Sequence, residues 1–537
     1  RLLCSVAVCR PVRRLFTYAI PASLKKLVCP GSRIQVPFGH TKALGFVISL
    51  FPEDEETKVP KLKPIADVID ASPPLPENHL ELAAWMAEQY LCSLGEALNA
   101  MVPARHVNRG DALIKLTLDY EAVVRRIRQG AKRQLELAQI LKEGPQTRNQ
   151  LNRRGKWVST AIRSMSSKKL VAEYRPEEDF DTKKESFCAD ELFATLTKHQ
   201  QIVFDEVAKA LDSANEPSLP AGSAAAQAAE DDDEAKENVF LLHGVTGSGK
   251  TEVYLHLIRK VLAQGKSAIF LVPEISLTVP MIRTFRQRFG PCLALLHSRL
   301  TQTERYREWM RAKRGVARVV LGARSAIFAP ISRPALFILD EEGEGSYKQQ
   351  DTPRYHARAV ALQRAQRTGG VVLLGSATPS LESYYESTRG KWNYLNLPER
   401  INQRPMPRVT LVDMSEEFAK KRNRSIFSMT LKNELTKTFQ GDGQALLFLN
   451  RRGHSTYVFC RSCSYVCTCA DCEIPFTYHF TTGWLRCHHC DKCERTPALC
   501  PECGSKAIRY CGAGTQKVEQ EFRLNYPQIP YSRMDSD

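Results

Sequence analysis

Residues 244–251 read Gly244-Val245-Thr246-Gly247-Ser248-Gly249-Lys250-Thr251 and follow directly on the apolar run 239–242. The pattern G-x-x-x-x-G-K-[ST] is that of a phosphate-binding loop between a strand and a helix. Backbone N–H groups and the start of the following helix surround phosphate oxygens in such loops. We therefore predict an α/β fold with a triphosphate site. Lys250 should reach the β- and γ-phosphates, and the Thr251 hydroxyl should bind Mg²⁺.

A second motif places carboxylates at the end of another apolar run. Phe337-Ile-Leu-Asp340-Glu341-Glu342 lies about ninety residues after the phosphate-binding loop. In phosphoryl-transfer folds such carboxylates hold Mg²⁺ and orient the attacking water. We predict Asp340 on the metal side and Glu341 as the catalytic base. By itself the motif would also suit an exposed acidic cluster, so its weight comes from the upstream loop.

The surrounding sequence alternates apolar runs with helix-length segments. The runs are 239–242, 267–272, 293–297, 317–321, 336–339 and 371–374. This alternation predicts a mostly parallel sheet with helices on both faces. A second α/β segment is expected from about residue 409. Its first strand is predicted at 445–449, and it is interrupted by a cysteine cluster before resuming near residue 507.

The N-terminal part has a different texture. Residues 1–105 are predicted to be β-rich, with strands at 33–37 and 43–50 and a helix at about 79–90. Helices at 131–143 and from 157, followed by an extended stretch at 169–174, suit a winged helix-turn-helix. Any three-helix packing element would give the same pattern. Residues 213–238 end in an acidic run and are predicted to be a flexible linker.

Eleven of the seventeen cysteines lie between Cys460 and Cys511. Four C-x-x-C pairs predict two closed structural Zn²⁺ sites, since two such pairs complete a tetrahedral Cys₄ set. Spacing alone leaves the pairing open. His479, His488 and His489 could compete as ligands, but they are predicted to be surface histidines. Cys467, Cys493 and Cys511 are expected to be unligated. The eight predicted ligands are Cys460, Cys463, Cys469, Cys472, Cys487, Cys490, Cys500 and Cys503.

Composition limits the class of protein. The 537 residues carry a formal net charge of +17, which favours a polyanionic partner such as nucleic acid. This length predicts three or more domains. Without a long apolar run or a signal peptide, we expect no membrane segment and a cytoplasmic location. The basic stretch 305–318 either meets phosphates or is a solvated face with Trp309 packed in the core.

The motifs together resemble those of the superfamily 2 helicases. More narrowly, they resemble the bacterial replication-restart helicases of the primosomal protein N-prime family. The resemblance covers nearly the whole chain, including the cysteine knuckles inserted in the second motor lobe. Its motifs are residues 33–39, 196–200, 244–254, 271–278, 297–298, 322–328, 346–349, 375–380, 450–454 and 512–516.

The resemblance implies an architecture and an activity. The expected domains are a β-rich DNA 3′-end-binding domain at 1–107, a winged helix at 108–185, a RecA-like helicase lobe at 186–400, and a partial second lobe at 401–537 with a zinc-binding insertion at 458–506. The implied activity is that of an ATP-dependent 3′-to-5′ DNA helicase which recognises stalled or abandoned forks and initiates primosome assembly. The implied partners are forked and single-stranded DNA, primosome proteins and single-stranded DNA-binding protein. A nucleoid-associated monomer is expected.

The resemblance also implies roles for particular residues. Gln200 would contact adenine beside residues 244–251. Arg324, Tyr347 and Lys348 would couple DNA contact to ATP, and Phe16, Tyr18 and Gly39 would lie near the nascent 3′ end. The zinc ligands would be nested, with Cys460, Cys463, Cys500 and Cys503 around one ion and the inner four around the other.

Three departures from the family pattern keep other functions open. Gly343 stands where histidine is expected, and Thr17 stands where aspartate is expected. The chain also ends at Asp537, before the family's later motifs. The alternatives are a DNA- and protein-binding scaffold with an impaired ATPase and another superfamily 2 translocase.

Overall fold

A computed structural model of the chain describes residues 2–53, 62–70, 75–103, 113–128, 130–142, 144, 146–152, 154–155, 157–168, 170–174, 193–213, 238–401, 405–423, 425–441, 443–449, 457–479, 484–511 and 515–534. The chain packs as two compact units, Arg1–Pro405 and Met406–Asp537. Most of the predicted linker, the motif at 450–454 and residues 512–514 lie outside the described residues. The finer division into four domains stays a prediction.

The N-terminal part of the first unit is a five-stranded antiparallel sheet. Its strands are β1 (Leu2–Val8), β2 (Phe16–Ala19), β3 (Arg33–Phe38), β4 (Thr41–Pro52) and β5 (Asp67–Val68). Their spatial order is β2-β1-β4-β3-β5. The strands predicted at 33–37 and 43–50 are confirmed as β3 and β4.

Two helices follow this sheet, α1 (Glu77–Gln89) and α2 (Leu94–Met101). Ser93 caps α2 through a reciprocal capping box with Glu96. The apolar faces of both helices share one continuous buried cluster with residues of the parallel sheet described below, such as Phe337 and Leu339. The N-terminal part is therefore packed directly onto the parallel sheet, which the sequence did not predict.

A buried polar contact reinforces this packing. The Nε2–H of His79, on α1, donates a hydrogen bond to the carbonyl oxygen of Phe328 over 3.0 Å. Farther along the interface, Arg33 forms a buried ion pair with Asp70 at 2.8 Å, and the Tyr306 hydroxyl donates to Asp70 at 2.9 Å. Charges buried in this way need partners, so these contacts specify how the N-terminal sheet meets the rest of the unit.

His79 should make the stability of the first unit depend on pH. Burial, with a smaller effect of the Arg364 charge, lowers the pKa of His79 from 6.5 to about 3. Because the pKa of His79 is lower in the folded state, protonation of His79 favours unfolding. The free energy of unfolding is therefore at its full value above pH 6.5 and declines as the pH falls from 6.5 towards 3. We expect a loss of about 2 kcal/mol at pH 5.

Urea unfolding at pH 7.5 and pH 5 measures this effect. In the variant His79→Gln, which keeps a neutral hydrogen-bond donor at both pH values, the drop between the two pH values should be smaller by that amount. An equal pH dependence in the two proteins would contradict the assignment.

The next segment forms a small separate core. Its elements are β6 (Leu113–Leu116), α3 (Tyr120–Arg126), α4 (Lys132–Lys142), β7 (Gln146–Thr147), α5 (Arg148–Asn152), α6 (Trp157–Ser167) and β8 (Val171–Tyr174). The three strands pair antiparallel in the order β7-β6-β8, and the helices pack on them through their own apolar cluster. The predicted helices near 131–143 and from 157 are confirmed, and this arrangement of elements is that of a winged helix.

The rest of the first unit is a seven-stranded, wholly parallel sheet with the order β11-β12-β10-β13-β14-β9-β15. In chain order its elements are α7 (Lys198–Ser213), β9 (Val239–Gly244), α8 (Lys250–Ala263), β10 (Ser267–Leu271), α9 (Val279–Phe289), β11 (Leu293–Leu296), α10 (Gln302–Lys313), β12 (Val319–Gly322), β13 (Pro334–Asp340), α11 (Ala357–Thr368), β14 (Val371–Ser376), α12 (Leu381–Thr388) and β15 (Asn393–Leu397).

All six predicted strands of this sheet are confirmed, and the two faces are covered by separate apolar clusters. The strand β15 was not predicted. Trp309, on α10, is only 1% exposed. It therefore belongs to the core, and of the two interpretations of the basic stretch its packing supports the solvated face.

The second unit contains α13 (Met414–Lys421), α14 (Met429–Gln440), β16 (Tyr457–Cys460), β17 (Thr477–His479), β18 (Trp484–Arg486), β19 (Cys493–Arg495), β20 (Ile508–Cys511) and α15 (Thr515–Asn525). The strand predicted at 445–449 is wrong for this structure, because Leu446 and Phe448 are 91% and 82% exposed and the stretch has no regular structure. An interior parallel strand requires paired neighbours and cover on both faces, and the described residues supply neither there.

None of the helices in the described part of the chain combines the length and the apolar character that a membrane span needs.

Candidate nucleotide site and cysteine clusters

The phosphate-binding loop connects β9 to α8, as its sequence requires. Gly249 precedes the helix in a left-handed conformation (φ 78°) that favours glycine. Lys250 is buried, and its Nζ donates to the carbonyl oxygen of Gly244 over 2.8 Å. The lysine therefore lies inside the loop, at the place where phosphate would bind. Thr251 follows it on the first turn of α8 and is exposed.

A buried polar atom of the loop also supports phosphate binding. The Oγ of Ser248 is buried and has no hydrogen-bond partner among the described residues. A buried hydroxyl without a partner costs about 1–3 kcal/mol. A phosphate oxygen in the loop is an acceptor of the kind that this hydroxyl lacks.

Gln200 lies beside the loop on α7. Its Nε2 donates to the carbonyl oxygen of Ser248 over 3.0 Å, and its Oε1 accepts from the N–H of Thr197 over 2.9 Å. The side chain is 2% exposed. Gln200 thus contacts the backbone of the loop here, and its contact with adenine stays a prediction.

Asp340 and Glu341 lie at the end of β13. This strand pairs with β14, which in turn pairs with β9, the strand that leads into the loop. The Tyr254 hydroxyl, on α8, donates to Asp340 Oδ1 over 3.0 Å. Burial, followed by the charge of Glu341, raises the pKa of Asp340 to about 6. A cation at this carboxylate would reverse that effect, since an opposite charge favours the ionised form. The pair is therefore suited to Mg²⁺.

Glu341 has a backbone conformation that is costly for a residue with a side chain. Its φ is 48°, in the left-handed region, at about 1–2 kcal/mol for an L-residue. The neighbouring N–H of Glu342 donates to the carbonyl oxygen of Gly375 over 3.0 Å and fixes the turn. The Ser376 hydroxyl donates to Glu341 Oε2 over 3.3 Å. The strand ends of β13 and β14 are thereby held together at the predicted base.

The third carboxylate of the motif has a different environment. Glu342 is 1% exposed and pairs with Arg358, on α11, at 2.8 Å. It also accepts from the Ser380 N–H over 2.7 Å and from the Ser383 hydroxyl over 2.8 Å. Glu342 thus ties the acidic strand end to α11 and to the start of α12.

This network bears on the glycine that replaces the expected histidine. A Cβ at Gly343 would lie 3.1 Å from the carbonyl oxygen of Thr378 and 3.3 Å from the nitrogen of Ser380. Any side chain at 343 therefore requires the 378–380 loop to move by a few tenths of an ångström. In this chain the link between the acidic motif and that loop runs through Glu342.

The predicted DNA-coupling residues lie after the acidic motif. Arg324 Nη1 donates to the carbonyl oxygens of Ser346 and Lys348, over 3.0 and 2.7 Å. Lys348 is exposed, and its Nζ lies 5.3 Å from the ring centroid of Tyr90 on the N-terminal part. Tyr347 is fully buried and donates to the backbone oxygen of Asp340 over 2.7 Å. Because of that burial Tyr347 does not present a DNA contact here, and it supports the acidic strand end instead.

The three N-terminal candidates also differ in exposure. Phe16 is half-buried and meets Phe38 edge to face, with ring centroids 5.3 Å apart. Gly39 forms an open turn beside Phe38, with nothing within 4 Å of an added Cβ. Tyr18 is buried and donates to the Pro37 carbonyl oxygen over 3.0 Å. Tyr18 is thus a core residue that positions β3, while Gly39 is exposed and the rings of Phe16 and Phe38 are half-buried.

The eight C-x-x-C cysteines come together in two groups. These are Cys460, Cys463, Cys500 and Cys503, and Cys469, Cys472, Cys487 and Cys490. Within them, sulfur–sulfur distances of 3.5, 3.6 and 3.7 Å occur. A tetrahedral Zn–S bond of about 2.3 Å requires sulfur–sulfur separations of about 3.8 Å. Both groups therefore have the size of a closed Cys₄ zinc site, in the nested pairing.

Local backbone groups favour the thiolate form of one of these cysteines, whereas hydrogen bonds with neighbouring cysteines raise the pKa of others, such as Cys472. The N–H of Cys490, and less strongly that of His489, lower the pKa of the Cys487 thiol to about 7. Metals bind the thiolate form. His489 Nδ1 lies 3.4 Å from Cys472 Sγ, but the ligand groups that the described residues form contain cysteines only. The side chain of His479 lies outside the described residues.

Comparison with known proteins identifies the family. Residues 5–103 match the family described as 3'DNA-binding domain (3'BD), and residues 220–387 match the DEAD/DEAH box helicase family. Replication restart protein PriA of Bacillus subtilis is 37% identical over 98% of this chain and 71% of its own length. This chain belongs to the PriA family.

Other PriA relatives agree. The proteins of Synechocystis sp. and Treponema pallidum are 36% and 35% identical, and the alignments cover 97% and 98% of this chain and 70% and 66% of theirs. Among solved structures, RecG bound to a three-way DNA junction aligns over 41% of this chain and 25% of its own at 21% identity. Its TM-score of 0.26 is too low to support a conclusion. The predicted ATP-dependent DNA helicase of the replication-restart class is confirmed through the PriA family.

Sequence reasoning missed several residues of this PriA-family site. Tyr254, Arg358 and Ser383 hold the acidic carboxylates, yet each stands in an ordinary helical segment. The sequence placed Gly375 only within the motif 375–380, although a Cβ there would lie 1.7 Å from the Tyr254 hydroxyl. A tyrosine three residues after the phosphate-binding loop was the one signal in the sequence that this space is filled from α8.

Proposed function

We propose that this protein is a 3′-to-5′ DNA helicase that recognises stalled or abandoned replication forks and initiates primosome assembly. The observation that carries the proposal is the shared core of the first unit. Residues that match a 3'DNA-binding domain pack on the same apolar cluster as the sheet that carries the phosphate-binding loop. The domain that recognises DNA ends and the ATP-binding lobe then move as one body.

In this proposal the loop and the acidic strand end bind and hydrolyse ATP. Lys250 contacts the β- and γ-phosphates, Thr251 and Asp340 hold the metal, and Glu341 takes a proton from the attacking water. Mg²⁺, when bound, neutralises charge on the phosphates. Gln200 closes the adenine side.

Coupling to DNA runs through the segment between the acidic motif and α11. Lys348 is exposed and is held by the same loop that Arg324 clamps. A phosphate of the DNA strand that forms an ion pair with Lys348 would shift this loop. Tyr347 would carry the shift to Asp340, because its hydroxyl is bonded to the Asp340 backbone. Contact of this kind is with the DNA backbone, so little base specificity follows.

The cysteine clusters act as structural Zn²⁺ sites in this proposal. Closed Cys₄ sites leave no open position for water, so their contribution is the shape of the surface around residues 457–511. Primosome proteins and single-stranded DNA-binding protein are the partners proposed for the whole assembly. We also propose a monomer that acts in the cytoplasm, on the nucleoid.

The decisive experiment compares forks that differ only at the nascent-strand end. ATP hydrolysis should be stimulated more by a fork with a 3′-hydroxyl at the branch point than by one with a 3′-phosphate there. Replacement of Phe16 by alanine should weaken fork binding by about tenfold, since loss of one aromatic stacking partner costs about 1–3 kcal/mol. On partial duplexes, unwinding should require a 3′ tail.

The matched control is Leu15→Ala, which removes an exposed apolar side chain next to Phe16. It should leave fork binding and end discrimination unchanged. Equal stimulation by both ends in the unsubstituted protein would reject end recognition, and Thr17 would then be the departure to suspect. Unwinding from 5′ tails would reject the direction.

A further inference from the structure

A segment far along the sequence from the phosphate-binding loop packs against that loop. The strand β15 pairs with β9, the strand that leads into the loop. The chain then continues as residues 397–401, which we name the strap. The N–H of Val245 donates to the carbonyl oxygen of Leu397, and the N–H of Ile401 donates to that of Gly247, each over 3.1 Å.

The strap and the loop are packed glycine by glycine. A Cβ at Gly244 would lie 3.1 Å from the Leu397 Cβ, and one at Gly249 would lie 2.4 Å from the Ile401 Cδ1. A Cβ at Gly247 would lie 3.8 Å from the Cγ of Arg400. Gly244 and Gly249 therefore make room for the strap, and at Gly247 the strap lies at ordinary van der Waals distance.

Arg400 is the residue of the strap that stands against the middle of the loop. Its Nε is buried and has no hydrogen-bond partner among the described residues. The neighbouring carboxylate, Glu399, lies toward His199, 4.0 Å away. Within the described part of the chain no ion pair involves Arg400. A buried Nε–H that lacks an acceptor, beside a loop built for anions, calls for an anionic ligand.

We propose that Arg400 binds the polyphosphate chain of the nucleotide, which rests on the proposed ATP site in the loop. A guanidinium offers several N–H donors in a fixed plane that matches phosphate oxygens, and such charge-assisted bonds are stronger than neutral ones. Arg400 is thus a second cation at the phosphates, contributed by the strap rather than by the loop that carries Lys250.

The test measures nucleotide affinity rather than turnover. Fluorescent ADP and a non-hydrolysable ATP analogue are titrated into Arg400→Ala and Arg400→Lys. The alanine variant should bind both nucleotides about tenfold more weakly or worse, as expected for loss of a charge-assisted hydrogen bond. The lysine variant should recover part of the affinity, because it keeps the charge but not the planar donors. Melting temperatures without nucleotide check that the variants fold.

Two controls separate this inference from the ATP site itself. Arg389→Ala removes an exposed arginine on the same stretch of chain, which lies over Tyr385, and should bind as the unsubstituted protein does. Lys250→Ala should lose affinity independently of Arg400. If Lys250→Ala loses binding and Arg400→Ala does not, the inference on Arg400 is overturned while the site stands.

The remaining outcomes are equally decisive. If neither Lys250→Ala nor Arg400→Ala affects binding, the nucleotide lies elsewhere, and the proposed function and the inference fall together. A triphosphate with a different base should lose affinity for Arg400→Ala by the same factor as ATP. A loss confined to adenine nucleotides would show that Arg400 reads the base, which contradicts a phosphate contact.

Discussion

Replacing Lys250 by alanine should reduce DNA-stimulated ATP hydrolysis at least about 100-fold, the effect of removing one preorganised donor from a developing negative charge. The side chain lies inside the phosphate-binding loop, with its Nζ bonded to the Gly244 carbonyl oxygen. Nothing else in the loop supplies a positive charge at that place. The measurement is the steady-state hydrolysis rate with and without forked DNA.

The same substitution should change the stability of the fold very little. Only one neutral-acceptor hydrogen bond is lost, and its net contribution is about 1 kcal/mol. Lys260→Ala is the matched control, because Lys260 lies at the far end of α8 and pairs with Asp212 at 3.0 Å. Its hydrolysis should be unchanged. Retained hydrolysis in Lys250→Ala would show that the ATP hydrolysis site of this protein is not in this loop.

The metal content should be two Zn²⁺ per chain, and Cys460→Ser should lower it to one and unfold the β16–β20 ribbon. The cysteine module has only a two-stranded and a three-stranded sheet, too little for a stable core without a ligand. Structural zinc contributes about 10–16 kcal/mol in small zinc domains. Loss of one site therefore outweighs any other single substitution considered for this protein.

Elemental analysis of the purified protein and limited proteolysis around residues 457–511 measure both effects. Cys493→Ser is the matched control, since Cys493 is exposed and belongs to neither cluster. It should keep two zinc ions and the same cleavage pattern. A content of fewer than two zinc ions in the unsubstituted protein would refute the two-site interpretation.

The strands of the parallel sheet show how much of this fold the local sequence pattern could predict. The apolar runs between 239 and 374 all form buried strands, including β11 at one edge of the sheet, and strands that are covered on both faces are apolar throughout. The strand β15, at the other edge, alternates partly buried and exposed residues. The pattern that identified the buried strands therefore did not identify β15.

The opposite error occurred at residues 445–449. This run is as apolar as the strands that formed, yet Leu446 and Phe448 are exposed in the structure. An apolar run becomes a strand only when a neighbour pairs with it, and its partners are not part of the run itself. Burial of Tyr18 and Tyr347 is a fact of the same kind, because no local pattern distinguishes a buried tyrosine from one that faces a ligand.

The sequence by itself determined the phosphate-binding loop, the acidic strand end and the four C-x-x-C pairs. In each of these the chemistry comes from residues a few positions apart, whose spacing along the backbone sets their geometry. Only the tertiary structure decided that the N-terminal helices share the motor's core, that Glu342 pairs with Arg358, and that Arg400 lies over Gly247. Those contacts join segments that are distant along the chain, and packing of whole elements, rather than local spacing, brings them together.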